Sequence, residues 1–104
     1  MDDTTLFWQL AEALYAEDGR VSEGTMMGGR CLRVGGEFLA LAGFKEGGLV
    51  LKLPKARVAQ VIAEGVGEPF APAGKVFKEW VRVPVPDEDV WLGLLREGIE
   101  FAVK

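Results

Sequence analysis

Three glycine pairs cut the middle of this chain into pieces suited to strands. Between Thr25 and Leu53 the sequence runs MMGG, CLRVGG, EFLALAGF and KEGGLVLKLP, so apolar runs are interrupted at Gly28-Gly29, Gly35-Gly36 and Gly47-Gly48. Adjacent glycines accept the positive φ angles that tight hairpin turns require, and the pattern predicts an antiparallel meander. Such a sheet leaves an apolar face to be covered, and helical segments on either side can cover it.

The first of these, Asp3 to Asp18, is predicted as an amphipathic helix. Leu6, Phe7, Leu10, Ala11 and Leu14 recur at helical spacing, with Trp8 and Tyr15 at the margin. Asp2, Asp3 or Thr4 can cap its start and Gly19 stops it. Strands are expected at Val21–Met27, Arg30–Val34, Glu37–Phe44 and Leu49–Leu53. In the second, Leu32 and Val34 share one face, Cys31 and Arg33 the other. The third is apolar on both faces and is therefore placed centrally. In the fourth, Leu49, Leu51 and Leu53 point inward, Val50 and Lys52 outward.

Pro54 is expected at the first position of a second helix, where its missing N–H is not needed. Ala56, Val58, Ala59, Val61 and Ile62 form its buried stripe, and Gly65 its C-cap. Val66–Lys75 reads as a loop with a short extended piece at Pro69–Phe70. Val76–Val85 is the last strand, with Phe77, Val81, Val83 and Val85 on one face with Glu79, and Lys78, Trp80 and Arg82 on the other. Asp87 caps a third helix, with Glu88 and Asp89 in its positive first turn. Its apolar face holds Val90, Trp91, Leu94, Leu95, Phe101 and Ala102, with Gly98 in the middle. A mid-helix glycine costs about 1 kcal/mol relative to alanine, so a close approach to the sheet is expected there. The class is α+β: two layers, an antiparallel sheet of about five strands and three helices. The order expected is α-β-β-β-α-β-β-α, with some strands short and a fourth strand before the second helix left open.

The 104 residues fit one domain, and 49% hydrophobic content marks a globular chain. No apolar run approaches the roughly 18–20 residues that span a bilayer. The N-terminus is acidic where a signal peptide would be basic, and the single cysteine, Cys31, excludes an internal disulfide. A cytoplasmic protein is expected. Absence of asparagine, with many Glu, Arg, Lys and Pro, points to a thermophilic source, and GC-rich codon usage gives a similar bias. The net charge of −4 is uneven: residues 1–24 carry six acids and one base, residues 25–86 nine bases and five acids, residues 87–104 five acids and two bases. Overall acidity argues against a strong nucleic-acid binder, whereas the basic middle leaves room for a weak one.

The catalytic inventory is poor. There is no histidine, the commonest general base and metal ligand. Ser22 lacks a nucleophile-elbow context, the glycine pairs are turns rather than a phosphate loop, and Cys31 reads as a small buried hydrophobe. Asp87-Glu88-Asp89 is explained by a helix start better than by a cation. No cofactor or metal is expected, and the chain reads as a non-enzyme. One constellation stands out. Arg33, Lys52, Lys78, Trp80 and Arg82 are predicted to share the sheet face opposite the main core. Bases around a tryptophan on an open sheet can hold a nucleic-acid strand or an anion; an ordinary solvated face, or one covered by a dimer partner, carries the same residues.

From Thr25 to Lys104 the sequence resembles the N-terminal domain of the TfoX/Sxy competence regulators and the related MmcQ/YjbR-like proteins. The residues that carry the resemblance are Met27-Gly28-Gly29, Gly35 to Leu41, Leu49 to Leu53, Gly67-Glu68-Pro69-Phe70 and Lys78 to Val83, followed by the helix after Asp87. Leu6–Tyr15 matches the family's opening helix in position. The resemblance implies a compact α+β domain with helices packed on an antiparallel sheet. It also implies transcriptional regulation through protein partners, with DNA association as the alternative; together with the poor catalytic inventory and the acidic termini, this predicts a non-enzymatic module that works by protein contact or as a homodimer. It supplies no catalytic residues.

Overall fold

The computed structural model describes residues 2–26 and 28–103. Helix α1 (Asp3–Glu17) leads into strands β1 (Val21–Met26), β2 (Gly29–Val34), β3 (Glu37–Ala42) and β4 (Leu49–Lys52); helix α2 (Lys55–Ala63), strands β5 (Glu68–Pro69) and β6 (Trp80–Val83) and helix α3 (Glu88–Ala102) follow. The strands form one sheet in the order β1-β2-β3-β4-β6-β5, every neighbouring pair antiparallel. The class is α+β, with six strands against the five expected and four of them ahead of α2. Met27, the expected end of the first strand, lies outside the described residues.

Local chemistry sets the element ends. Asp2 Oδ1 accepts from the Thr5 N–H at 2.7 Å and Asp87 Oδ1 from the Val90 N–H at 3.1 Å, so both long helices start on an aspartate cap. Pro54 stands at the cap position of α2, one residue before the expected place. That helix closes with the Gly65 N–H on the Ile62 carbonyl at 3.0 Å and the Val66 N–H on the Val61 carbonyl at 3.2 Å, with Gly65 at φ +77°. This is the Schellman arrangement, which needs a left-handed residue. Gly35 and Gly36 sit at φ +57° and +85° between the paired residues Val34 and Glu37, as a two-residue primed turn demands.

All three helices pack on one face. Leu10 and Leu14 of α1, Val58 and Val61 of α2, and Trp91, Leu95 and Ile99 of α3 join Leu32, Val34, Leu49, Leu51, Leu53, Val81 and Val83 in one buried cluster. Strand β3 breaks alternation. Leu32 pairs with Ala40 and Arg33 with Phe38, so Leu39 is an extra residue in a β-bulge. The bulge turns both Leu39 and Ala40 toward the helices, while Phe38 and Leu41 face the other way. That is why the strand reads as apolar on both sides. A Cβ built on Gly98 of α3 would lie 2.8 Å from Leu39 Cδ1 and 3.1 Å from the Lys52 carbonyl oxygen. Glycine there admits the expected close approach.

Four expectations need correction. Val50 faces away from the helices but is fully buried, in a second apolar cluster with Cys31, Phe38, Leu41 and Phe70. The last strand is four residues long: its partner β4 ends at Lys52, opposite Trp80, and after the Leu53 N–H donates to the Glu79 carbonyl at 2.9 Å no ladder continues to Val76–Lys78. Val85 lies beyond the strand and is 67% exposed, and Phe77 packs edge-on to Trp80 rather than beside Val81. In α2, Ala56 and Ala59 are exposed, because only the Val58–Val61 side meets the sheet. In α3, Ile99 joins the core and Val90 sits exposed at its margin.

Candidate binding site beside Trp80

Among the described residues no helix covers the sheet's second face. The 70–79 segment folds back over part of it. Phe70 is buried there, the Phe77 N–H donates to the Phe70 carbonyl at 3.0 Å, and Lys45 Nζ donates to the Pro72 carbonyl at 2.9 Å. Trp80 is the centre of the arrangement. It stacks on Phe38 with ring centres 4.2 Å apart and on Phe70 at 5.6 Å, and Phe77 meets it edge-on at 5.3 Å. Stacked and edge-on pairs of this kind are each worth about 1 kcal/mol beyond area burial.

The five residues expected on this face divide by chemistry. Arg33, Lys52, Trp80 and Arg82 occupy strand positions on it, and Lys78 sits in the turn that precedes β6. Arg33 lies across Gly24 and spends its guanidinium on the Gly36 and Thr25 carbonyls, both at 3.0 Å. The Arg82 side chain is only 14% exposed and donates to Glu68 Oε1 at 2.6 Å and to the Gly47 carbonyl at 3.0 Å. These guanidiniums are structural braces, a task that suits the planar fork. The other arginines are committed too: Arg20 to Asp18, Arg30 to Glu23, Arg57 to Glu97 and Arg96 to Glu17. Among the described residues, no carboxylate lies within ion-pairing distance of Lys52, Lys55 or Lys78.

Lys55 and Lys78 line a slot of about 200 Å³ between α2 and the turn before β6, whose wall is Val58, Ile62, Val76, Phe77 and Trp80. Phe77 is 37% and Val76 51% exposed. Sequence reasoning missed Lys55, Val76 and Phe77 as site residues. The sequence from Val76 to Val85 reads as one strand although Glu79 interrupts its apolar face, and the feature that cuts it is the short β4, which ends just before Pro54. A second hollow of about 190 Å³ lies between Phe44 and Pro72 over Arg82. Its one guanidinium already has its acceptors.

Cys31 is fully buried, and burial pushes its thiol above the ordinary range, away from reactivity. Among the described residues no three of His, Cys, Asp and Glu are placed to hold a metal ion, and no helix is long and apolar enough to cross a membrane. The architecture is thus a six-stranded antiparallel sheet with helices on one face and an aromatic cluster on the other. No protein family, curated protein or solved structure matches the chain.

Proposed function

We propose that this chain is a non-enzymatic, cytoplasmic protein-interaction module of the TfoX N-terminal type, and that it engages its partner at the slot beside Trp80. One observation carries the reading: an exposed apolar slot with an aromatic wall, flanked by two lysines that have no acidic partner among the described residues. Clustered exposed apolar surface marks interaction sites, and aromatic side chains are the usual anchors. The alternative, a DNA-associated regulator, draws on the same lysines with Lys52. It is weakened by the commitment of Arg33 and Arg82 to internal acceptors.

A photoreactive phenylalanine analogue at position 77, in the source cell, separates the two. The expected result is a protein adduct of defined mass that disappears with Lys55→Glu and is not formed from the exposed control position Gln9. A nucleic-acid adduct at position 77 would transfer the assignment to the second reading. Titration with duplex DNA then has to show log affinity falling against log salt with a slope of about −0.9 per phosphate neutralised.

A further inference from the structure

We infer that the slot beside Trp80 takes a second copy of this chain, docking the Pro84–Asp89 turn of one protomer into the slot of the next. The inference rests on the protein-interaction reading above and names the partner. Among the described residues five large apolar side chains are exposed, and four of them fall in two places: Val76 and Phe77 at the slot, Val85 and Val90 at the turn that enters α3, with Val103 apart at the end of α3. The two patches are opposite in charge. Lys55 and Lys78 line the slot, and Glu79 is the carboxylate next to them in the chain. Asp87, Glu88 and Asp89 follow Val85. Among the described residues no lysine or arginine lies within ion-pairing distance of those three acids.

The turn is also shaped for an aromatic slot. Val85 stands between Pro84 and Pro86. Proline fixes its own φ and holds the residue before it extended. The two prolines therefore stiffen the bend at Val85 and lower the entropic cost of holding its side chain outward. Val85 is 67% exposed, ready for insertion against Phe77 and Trp80, and the acids that follow it can meet Lys55 and Lys78. Donor and acceptor patches are different surfaces, so the contact is head-to-tail and does not stop at two copies unless a ring closes.

Sedimentation velocity on the purified chain tests this with two variants, each disabling one patch. Lys55→Glu/Lys78→Glu disables the slot; Val85→Ser/Glu88→Lys disables the turn and leaves the Asp87 cap in place. Val85→Ser alone is the milder turn variant, touching neither cap nor core. The wild type is expected to grow in mass with concentration. Each variant alone should associate at least about tenfold more weakly. An equimolar mixture should form a dimer and no larger species, because each variant retains one working patch. A monomeric wild type over the whole soluble range would overturn the inference, as would a dimer that neither variant weakens or a mixture that fails to pair. A monomeric wild type that still gives a protein adduct at position 77 in cells would retain the interaction module and remove only its self-partner.

Discussion

Gly98 and Gly93 occupy the same helix and behave as opposites. A Cβ at Gly98 would press on Leu39 and on the Lys52 carbonyl, whereas one at Gly93 would meet nothing within 4 Å. Replacing glycine by alanine in a helix gains about 1 kcal/mol, and overpacking a core costs about 1–3 kcal/mol. Gly93→Ala is therefore expected to raise the urea midpoint and Gly98→Ala to lower it, at unchanged m-value. The special status of Gly98 was legible in the sequence, because a costly residue in the middle of an apolar face needs a reason. The roles of Arg33 and Arg82 were not. Apart from the Glu68 carboxylate, their acceptors are backbone carbonyls such as those of Thr25, Gly36 and Gly47, which carry no side-chain signature. Asp18 gives a pH-dependent outcome. Hydrogen bonds from the Arg20 side chain and backbone hold its pKa at about 2, below the ordinary 3.8. A depressed carboxylate stabilises the fold above its unfolded pKa and loses that contribution as pH falls through the folded value. Asp18→Asn should thus flatten part of the stability decline between pH about 4 and about 2, leaving the slope due to Glu17 and Glu23, which their arginine partners also lower.

Among the elements, the 70–79 segment departs most from what periodicity predicts. Its order depends on Phe70, which is buried and touches Phe44, Phe77 and Trp80. Phe70→Ala is expected to cost about 3 kcal/mol and to bring protease cleavage within 71–79 under conditions where the wild type resists it. Uncut loop at the same loss of stability would show that the segment is held by its backbone contacts instead. The meander was read correctly in its strand order and faces, but of the expected glycine pairs only Gly35-Gly36 is a two-residue link that pins register: Gly29 lies in β2 opposite Met26, and residues 43–48 join β3 to β4. The length of β6 was not, because a strand's extent is set by its partner. β4 runs for four residues before Pro54, and no property of Val76–Glu79 reveals that. The slot owes its existence to this mismatch, and so it too was illegible locally.

For the molecule as a whole, the acidic ends and basic middle seen in the sequence are partly tied together, Glu23 to Arg30 and Glu97 to Arg57. Most arginine charge is paired with a carboxylate, at the exposed surface for Arg20, Arg30 and Arg96, which leaves Lys55 and Lys78 beside α2 and the acids of the α3 start without ion pairs among the described residues. Ion pairs between exposed groups are screened at moderate salt, whereas apolar burial is not. Raising salt should therefore weaken self-association while leaving the thermal unfolding midpoint of the monomer nearly unchanged; parallel losses in both would mean that association and folding share the same charges. The bulge in β3 has a consequence for how this chain can change length. Leu39 has no partner across the ladder, so its deletion would bring Phe38 and Ala40 together opposite Arg33 and Leu32, which they already face. Every other pairing in the sheet would survive. What would be lost is the side chain in the notch at Gly98, a hole that an alanine there could begin to fill. A central strand normally cannot lose a residue without inverting everything after it; here the inverted alternation is already built in, and one deletion would remove it.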